Sequence, residues 1–261
     1  MSRRSDHVLR YSVHSRLREH HLRRLLPRPA GGLLLDSGCG LGYLSEVLGR
    51  GYTRVGLDQE LSSLLLNRRR GQDRMVRGSL CHLPFRDASF DLALCSEVLE
   101  HMPQGLDRQA LAELARVLKP GGRLLVTVPA LEGLRARSRL RNLGHDDPNG
   151  GEYHHRQGYH LQQLKDLARG LDLRLASRRY SMVLASELFM DLSKLVFLGK
   201  KGLSEHSQVD SARDKPVFKV YRKVFPLLHA CFVCEDWLLS RLLRGHIHIL
   251  AFDKTAPGGP S

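Results

Sequence analysis

The chain has little cysteine and none of it in a disulfide framework: Cys39, Cys81, Cys95, Cys231 and Cys234 are an odd set of five with no repeated spacing. That excludes the disulfide-stapled class and points to a reducing, cytoplasmic setting. Also missing is an apolar core behind the basic N-terminus "MSRRSDHVLRYSVHSRLREHHLRRLLPRP", so no export signal is read. No uninterrupted run has membrane-spanning length. "MVLASELFMDLSKLVFLG" (182–199) is broken by Glu187, Asp191 and Lys194, and "VFPLLHACFVC" (224–234) is too short. Acidic residues are in deficit, 27 against 41 basic ones, and the resulting +14 favours anionic partners such as nucleic acid, anionic lipid or a phosphorylated substrate. Cys231-x-x-Cys234 lacks the second pair of a zinc site and lies among apolar neighbours, so it is read as helix packing, and no metal is expected. Internal repeats are absent too.

What is present is a regular alternation. Apolar runs at 33–36, 54–58, 74–78, 90–95 and 122–129 are separated by helical patterns at 41–50, 61–70 and 107–118, the last stopped by "KPGG" (119–122). This is the signature of βαβ units around a parallel sheet. A helix at 160–169 and strands at 171–179 and 246–252 complete the pattern. The expected fold is α/β: a Rossmann-like, seven-stranded, mostly parallel sheet with helices on both faces and a helical insertion before the last strand. Four parts are expected: a basic helical lid (1–30), a core (31–179 with 246–253), the insertion (180–245) and a flexible tail (254–261).

The first strand runs into "LLLDSGCGLGYLSEVLG" (33–49). Its glycines, Gly38, Gly40 and Gly42, depart from the dinucleotide fingerprint, with Tyr43 where the third glycine would fall. Asp36 at the strand tip repels phosphate and suits an ammonium or sulfonium charge, while the free N–H groups of the following helix suit a carboxylate. Asp58, 22 residues beyond Asp36, is placed to accept both hydroxyls of a ribose. An amino acid joined to a nucleoside, without phosphate, describes S-adenosyl-L-methionine.

Four motifs in order, "LLLDSGCGLG", "VGLDQE", "GSLCHLPFRDASFDLALCSEVLEHM" and "LARVLKPGGRLLVTVP", make residues 33–179 similar to the class I S-adenosylmethionine-dependent methyltransferases, in the broad subgroup that includes the ubiquinone/menaquinone biosynthesis enzymes. The resemblance implies that Asp36, Ser37, Gly38, Cys39 and Gly40 surround the methionine part and that Asp58 and Gln59 hold the ribose. Ser79 and Leu80 would flank adenine, although the family commonly has an acid at the Ser79 position. Cys95 and Ser96 would line the methyl-transfer cleft, with both Cys39 and Cys95 read as small packed residues in place of nucleophiles.

His101, in "EVLEHM", is a candidate general base or a packing residue of the cleft wall. His154, Arg156 and Tyr159 match a loop that folds over the cleft in this subgroup, with His154 a second candidate base and Arg156 and Tyr159 candidates for touching the acceptor or stabilising a lid. Arg135, Arg137, Arg139 and Arg141 alternate along the preceding loop. The N-terminal segment carries eight arginines and an apolar side of Leu17, Leu22, Leu25 and Leu26, suited to docking as a lid or lying on an anionic surface. In the insertion, Glu187, Asp191 and Lys194 make one polar stripe. Its apolar surfaces, with Trp237 and basic Lys200, Lys201, Lys215, Lys219, Arg222 and Lys223, suit an acceptor tunnel or a membrane-facing patch.

The functional expectation is methyl transfer to a small-molecule or lipid-like acceptor, at O, C or N, by a cytoplasmic protein with an anionic membrane surface as a further partner. A tRNA or nucleic-acid methyltransferase is one rival, weakened because "CSEV" stands where base-amine methylating members have "NPPY"-like tetrapeptides. A binding protein that kept the fold without turnover is the other. Oligomeric state is not legible.

Overall fold

The computed structural model describes residues 9–27, 32–133, 155–197 and 216–256. Its elements are α1 (Val13–Arg23), β1 (Leu33–Ser37), α2 (Tyr43–Leu48), β2 (Thr53–Asp58), α3 (Leu61–Arg69), β3 (Met75–Arg77), β4 (Phe90–Ser96), a 3-10 turn Leu99–His101, α4 (Leu106–Val117), β5 (Leu118–Pro129), α5 (Leu161–Ala168), β6 (Leu173–Ser181), α6 (Ala185–Phe197), α7 (Pro216–Leu239) and β7 (Ile247–Lys254). The seven strands form one sheet in the order β3-β2-β1-β4-β5-β7-β6. Strands β1 to β5 pair in parallel, and β7 runs antiparallel to both its neighbours, β5 and β6.

Side chains alternate across each strand, so the apolar runs supply two cores at once. Leu35, Ala93, Cys95, Leu124, Val126 and Leu250 point to the face covered by α4 and α5. Their neighbours Leu34, Leu92, Leu94, Leu125, Ile249 and Ala251 point to the face covered by α1, α2 and α7. Both faces are therefore dry, as a mostly parallel sheet requires. Truncating one of these wholly buried leucines to alanine costs about 2–5 kcal/mol.

Two expectations are corrected, and a third element is placed. Strand β5 begins at Leu118, so "KPGG" lies inside the strand, at its start, where the register with β4 shifts between Phe90 and Leu92 and Gly121 takes a φ of +79°. The basic N-terminal helix, expected to dock or to lie on an anionic surface, packs one face on the sheet. It buries Val13, Leu17 and Leu22 in the core it shares with the sheet. Cys231 and Cys234 are exposed, because Phe225 and Phe232 take the buried side of α7.

The insertion is tied to the rest of the fold through one buried acid. Asp236 of α7 is fully buried and accepts hydrogen bonds from Ser181 Oγ (2.6 Å) and the Met182 N–H (3.0 Å), with His21 Nε2 of α1 at 2.8 Å. One carboxylate thus joins α1, α7 and the end of β6. Glu187, expected in a polar stripe, is buried as well. The side chains of Asp191 and Lys194, the arginines at 135–141, and Lys200, Lys201 and Lys215 lie outside the described residues.

Candidate functional site: the cleft at the strand tips

The chain reverses direction of growth between β1 and β4, and open α/β sheets bind ligands in the crevice beyond the strand ends at such a switch. Here that crevice is bordered by the glycine loop after β1, the tip of β2 and the tip of β4.

The loop is held by its own backbone. Gly38 and Cys39 both donate N–H groups to Leu57 O, at 2.7 and 3.0 Å, and Gly40 donates to Asp58 Oδ2 at 2.7 Å. Gly38, Gly40 and Gly42 have φ of +70°, +45° and +69°, the left-handed region that favours glycine. A Cβ at Gly38 would meet Val98 at 2.5 Å, whereas a Cβ at Gly40 would meet nothing within 4 Å. The loop is therefore packed beneath Gly38 and open at Gly40, a cradle that leaves room for a ligand against the backbone.

Two carboxylates define its charge. Asp36 is buried and hydrogen-bonded by Ser45, and burial, followed by the nearby charge of Asp58, raises its pKa to about 6. Its carboxylate lies beneath the loop, turned toward Ser45. Asp58 accepts one N–H on each oxygen, from Gly40 and from Glu60 (2.9 Å), and a carboxylate with one bond per oxygen keeps lone pairs for two hydroxyls. Open backbone beside acids and a diol acceptor fits the methionine and ribose parts of S-adenosylmethionine.

Around this frame, Gln59 receives Arg77 Nε on its carbonyl oxygen, Ser37 Oγ donates to Leu94 O at 2.6 Å, and Ser79 Oγ accepts from the Cys81 N–H. Leu80 is buried beside Ser79. Burial is the largest cause pushing the Cys39 and Cys95 thiols far up, so neither is a thiolate, in keeping with the packed reading.

At the tip of β4, Ser96 Oγ lies 2.7 Å from Thr127 Oγ1 and receives Arg18 Nη1 at 3.1 Å. Glu97 follows with a φ of +55°, strained for a non-glycine residue, and its Oε1 accepts from Thr127 Oγ1 at 3.0 Å. Arg18 and His14 of α1 stand 3.8 and 3.6 Å from the same carboxylate. One turn deeper, Glu100 is buried and neither of its oxygens has a hydrogen-bond partner among the described residues. Burial, then the charge of Glu97, pushes its carboxyl well above the usual range.

Arg18, Glu19 and Glu97 were not singled out from the sequence. Only the acid following Ser96 in "CSEV" offered a signal. His101 closes the 3-10 turn with its N–H on Val98 O, its ring partly exposed, and His154 lies outside the described residues. Arg156 pairs with Asp107 (3.3 Å) and covers the ring of Tyr159 at 4.7 Å. Tyr159 is wholly buried, its hydroxyl donated to Leu99 O at 2.8 Å.

The fold is one that this chain shares with solved proteins described as S-adenosylmethionine-dependent methyltransferases. Residues 35–126 match the family described as methyltransferase domain. A probable S-adenosylmethionine-dependent methyltransferase of Mycolicibacterium smegmatis is 38% identical over 108 residues, 41% of each chain. The human probable tRNA methyltransferase 9B is 40% identical over 103 residues, 39% of this chain and 22% of its own. The match thus spans well under two thirds of either relative. A solved S-adenosylmethionine-dependent methyltransferase of Thermotoga maritima, described as a possible histamine N-methyltransferase, superposes with a TM-score of 0.59 over 95% of this chain and 92% of its own, at 16% identity. Residues 35–126 thus resemble a methyltransferase domain, and the chain shares the fold of solved S-adenosylmethionine-dependent methyltransferases.

Proposed function

We propose that this protein transfers the methyl group of S-adenosylmethionine to a small-molecule or lipid-like acceptor. The observation that carries the reading is the glycine loop opening at Gly40 between the buried Asp36 and the diol-accepting Asp58. When bound, the cofactor supplies a carbon already activated by sulfonium. What remains for the protein is to hold the reacting groups in line, which is worth several powers of ten in rate.

The loop backbone and Asp58 fix the cofactor side. On the acceptor side, Ser96, Thr127 and Glu97 form a hydrogen-bonded cluster at the tip of β4, and Arg18 closes it from α1. Glu97 is one group there that can serve as a base, and His101, in the 3-10 turn that follows, is a second. The lipid-like end of the acceptor range rests on the likeness of the motifs to ubiquinone/menaquinone biosynthesis methyltransferases.

A second reading, methylation of RNA, is favoured by the charge of +14 and by the name of the human relative. Both are tested together. Calorimetry with S-adenosylhomocysteine should show one site on the full chain, and absence of binding would overturn either reading. Tritium from labelled cofactor should then enter an organic extract and not tRNA; the reverse outcome selects the second reading.

A further inference from the structure

Helix α7 has two apolar faces, and only one of them is used. Phe218, Tyr221, Phe225, Leu228 and Phe232 pack inward. On the opposite side Val220, Val224, Leu227, Cys231, Cys234 and Leu238 recur at steps of four and three residues, which makes one continuous stripe, and every one of them is exposed. Leu227 is 69% exposed, Trp237 59% and Leu242, just beyond the helix, 82%. Packed against α7 through Phe189, which lies 5.4 Å from Phe232 between ring centres, α6 adds its own exposed ridge of Leu188 and Leu192, preceded by Leu184. Single exposed leucines are ordinary, but stripes of this length mark a surface that meets something apolar.

Charge identifies the occupant. The exposed ionised groups of α7 and the turn after it are Lys219, Arg222, Lys223, Arg241 and Arg244, all basic. Its two acids are withdrawn from that side: Glu235 accepts the N–H groups of Leu184, Ala185 and Ser186 at the start of α6, and Asp236 is the buried junction with Ser181 and His21. Leucine and tryptophan beside lysine and arginine, with acids absent, is the composition of a helix lying in the plane of an anionic bilayer interface. Lys and Arg stems extend along the apolar boundary while their charges meet headgroups. Among the described residues no helix is long and apolar enough to cross a membrane, so the surface meets the bilayer from the side.

We infer that the outer face of α7, with the leucine ridge of α6, docks this protein on an anionic lipid surface. This stands apart from the methyl-transfer reading, because none of these side chains belongs to the cleft. Trp237 is the only tryptophan of the chain and lies on that outer side, so its fluorescence reports on the surface directly.

The full-length protein is mixed at low salt with vesicles of equal parts phosphatidylglycerol and phosphatidylcholine, and with phosphatidylcholine alone. The expected result is co-sedimentation with the anionic vesicles only, a blue shift of Trp237 on binding, and about a tenfold or greater loss at high salt. The double variant Leu227→Glu with Leu238→Glu should lose binding at least tenfold while keeping its melting temperature and its affinity for S-adenosylhomocysteine. Equal binding to both vesicles, or no blue shift, overturns the inference. So does a double variant that binds as wild type does, which would place binding on another basic segment. A blue shift that grows with protein concentration in the absence of lipid overturns it in favour of a second copy.

Discussion

Tyr43 donates its hydroxyl to Glu19 Oε2 across 2.7 Å, and that bond ties the helix opening from the glycine loop to the helix that covers it. Glu19 is buried and also receives Arg16 and Arg23, so its charge stays compensated when the tyrosine hydroxyl is removed. Tyr43→Phe should therefore cost about 1 kcal/mol, a fall in Tm of about 2–4 °C for a chain of this size. Glu19→Ala leaves Tyr43 and Arg16 without their acceptor and should cost about 3 kcal/mol. Scanning calorimetry on both variants checks the order; equal falls would contradict it.

Two glycines of one loop should fail in opposite ways. A Cβ at Gly38 collides with Val98 at 2.5 Å, so Gly38→Ala should lower Tm strongly. Gly40→Ala meets no atom and suffers only its left-handed backbone, about 1–2 kcal/mol. Its methyl fills the cradle instead, so S-adenosylhomocysteine affinity should fall at least tenfold. Thermal melts and calorimetry separate the two effects.

Asp58 has a double task, holding the Gly40 N–H and offering its remaining lone pairs to a diol. Asp58→Ala removes charge-assisted hydrogen bonds of about 1.5–3 kcal/mol, so cofactor affinity should fall about ten- to a hundredfold. Asp58→Asn, which can still accept on one oxygen, should fall between. Unchanged affinity in the alanine variant would remove Asp58 from the ribose site.

Asp36 makes stability depend on pH in an unusual direction. Its folded pKa, about 6, exceeds its ordinary value of 3.8, so the folded chain binds the extra proton between those pH values. Its stabilising contribution is full below about pH 4 and is lost as pH rises through 6, amounting to about 3 kcal/mol. Urea unfolding of wild type and Asp36→Asn at pH 4.5 and 7 should show the variant gaining on wild type at the higher pH. A constant difference between them would mean that Asp36 is ionised in the folded state throughout.

The cofactor half of the cleft was legible because its residues sit close together in sequence: Asp36 and the glycines share one turn, and Asp58 ends the next strand. The strands were legible as apolar runs alternating with helical patterns. The acceptor half was not, because its parts come from distant segments. Nothing in a run of eight arginines distinguishes Arg18, and only packing of Leu17 and Leu22 against the sheet aims it at Ser96. Cys231 and Cys234 were misread for a related reason: α7 has two apolar faces, so its composition does not say which of them is buried.

Strand β7 lies between β5 and β6 and is hydrogen-bonded on both edges, although it follows them in the chain by more than sixty residues. During translation, then, β5 and β6 emerge with open edges and cannot join until residue 254 leaves the ribosome. The half-built sheet must be shielded for that interval, whether by its own helices or by chaperones, because unpaired edges are aggregation sites. A nascent chain stalled before β7 should be protease-sensitive and chaperone-bound, and release of a few more residues should make it compact.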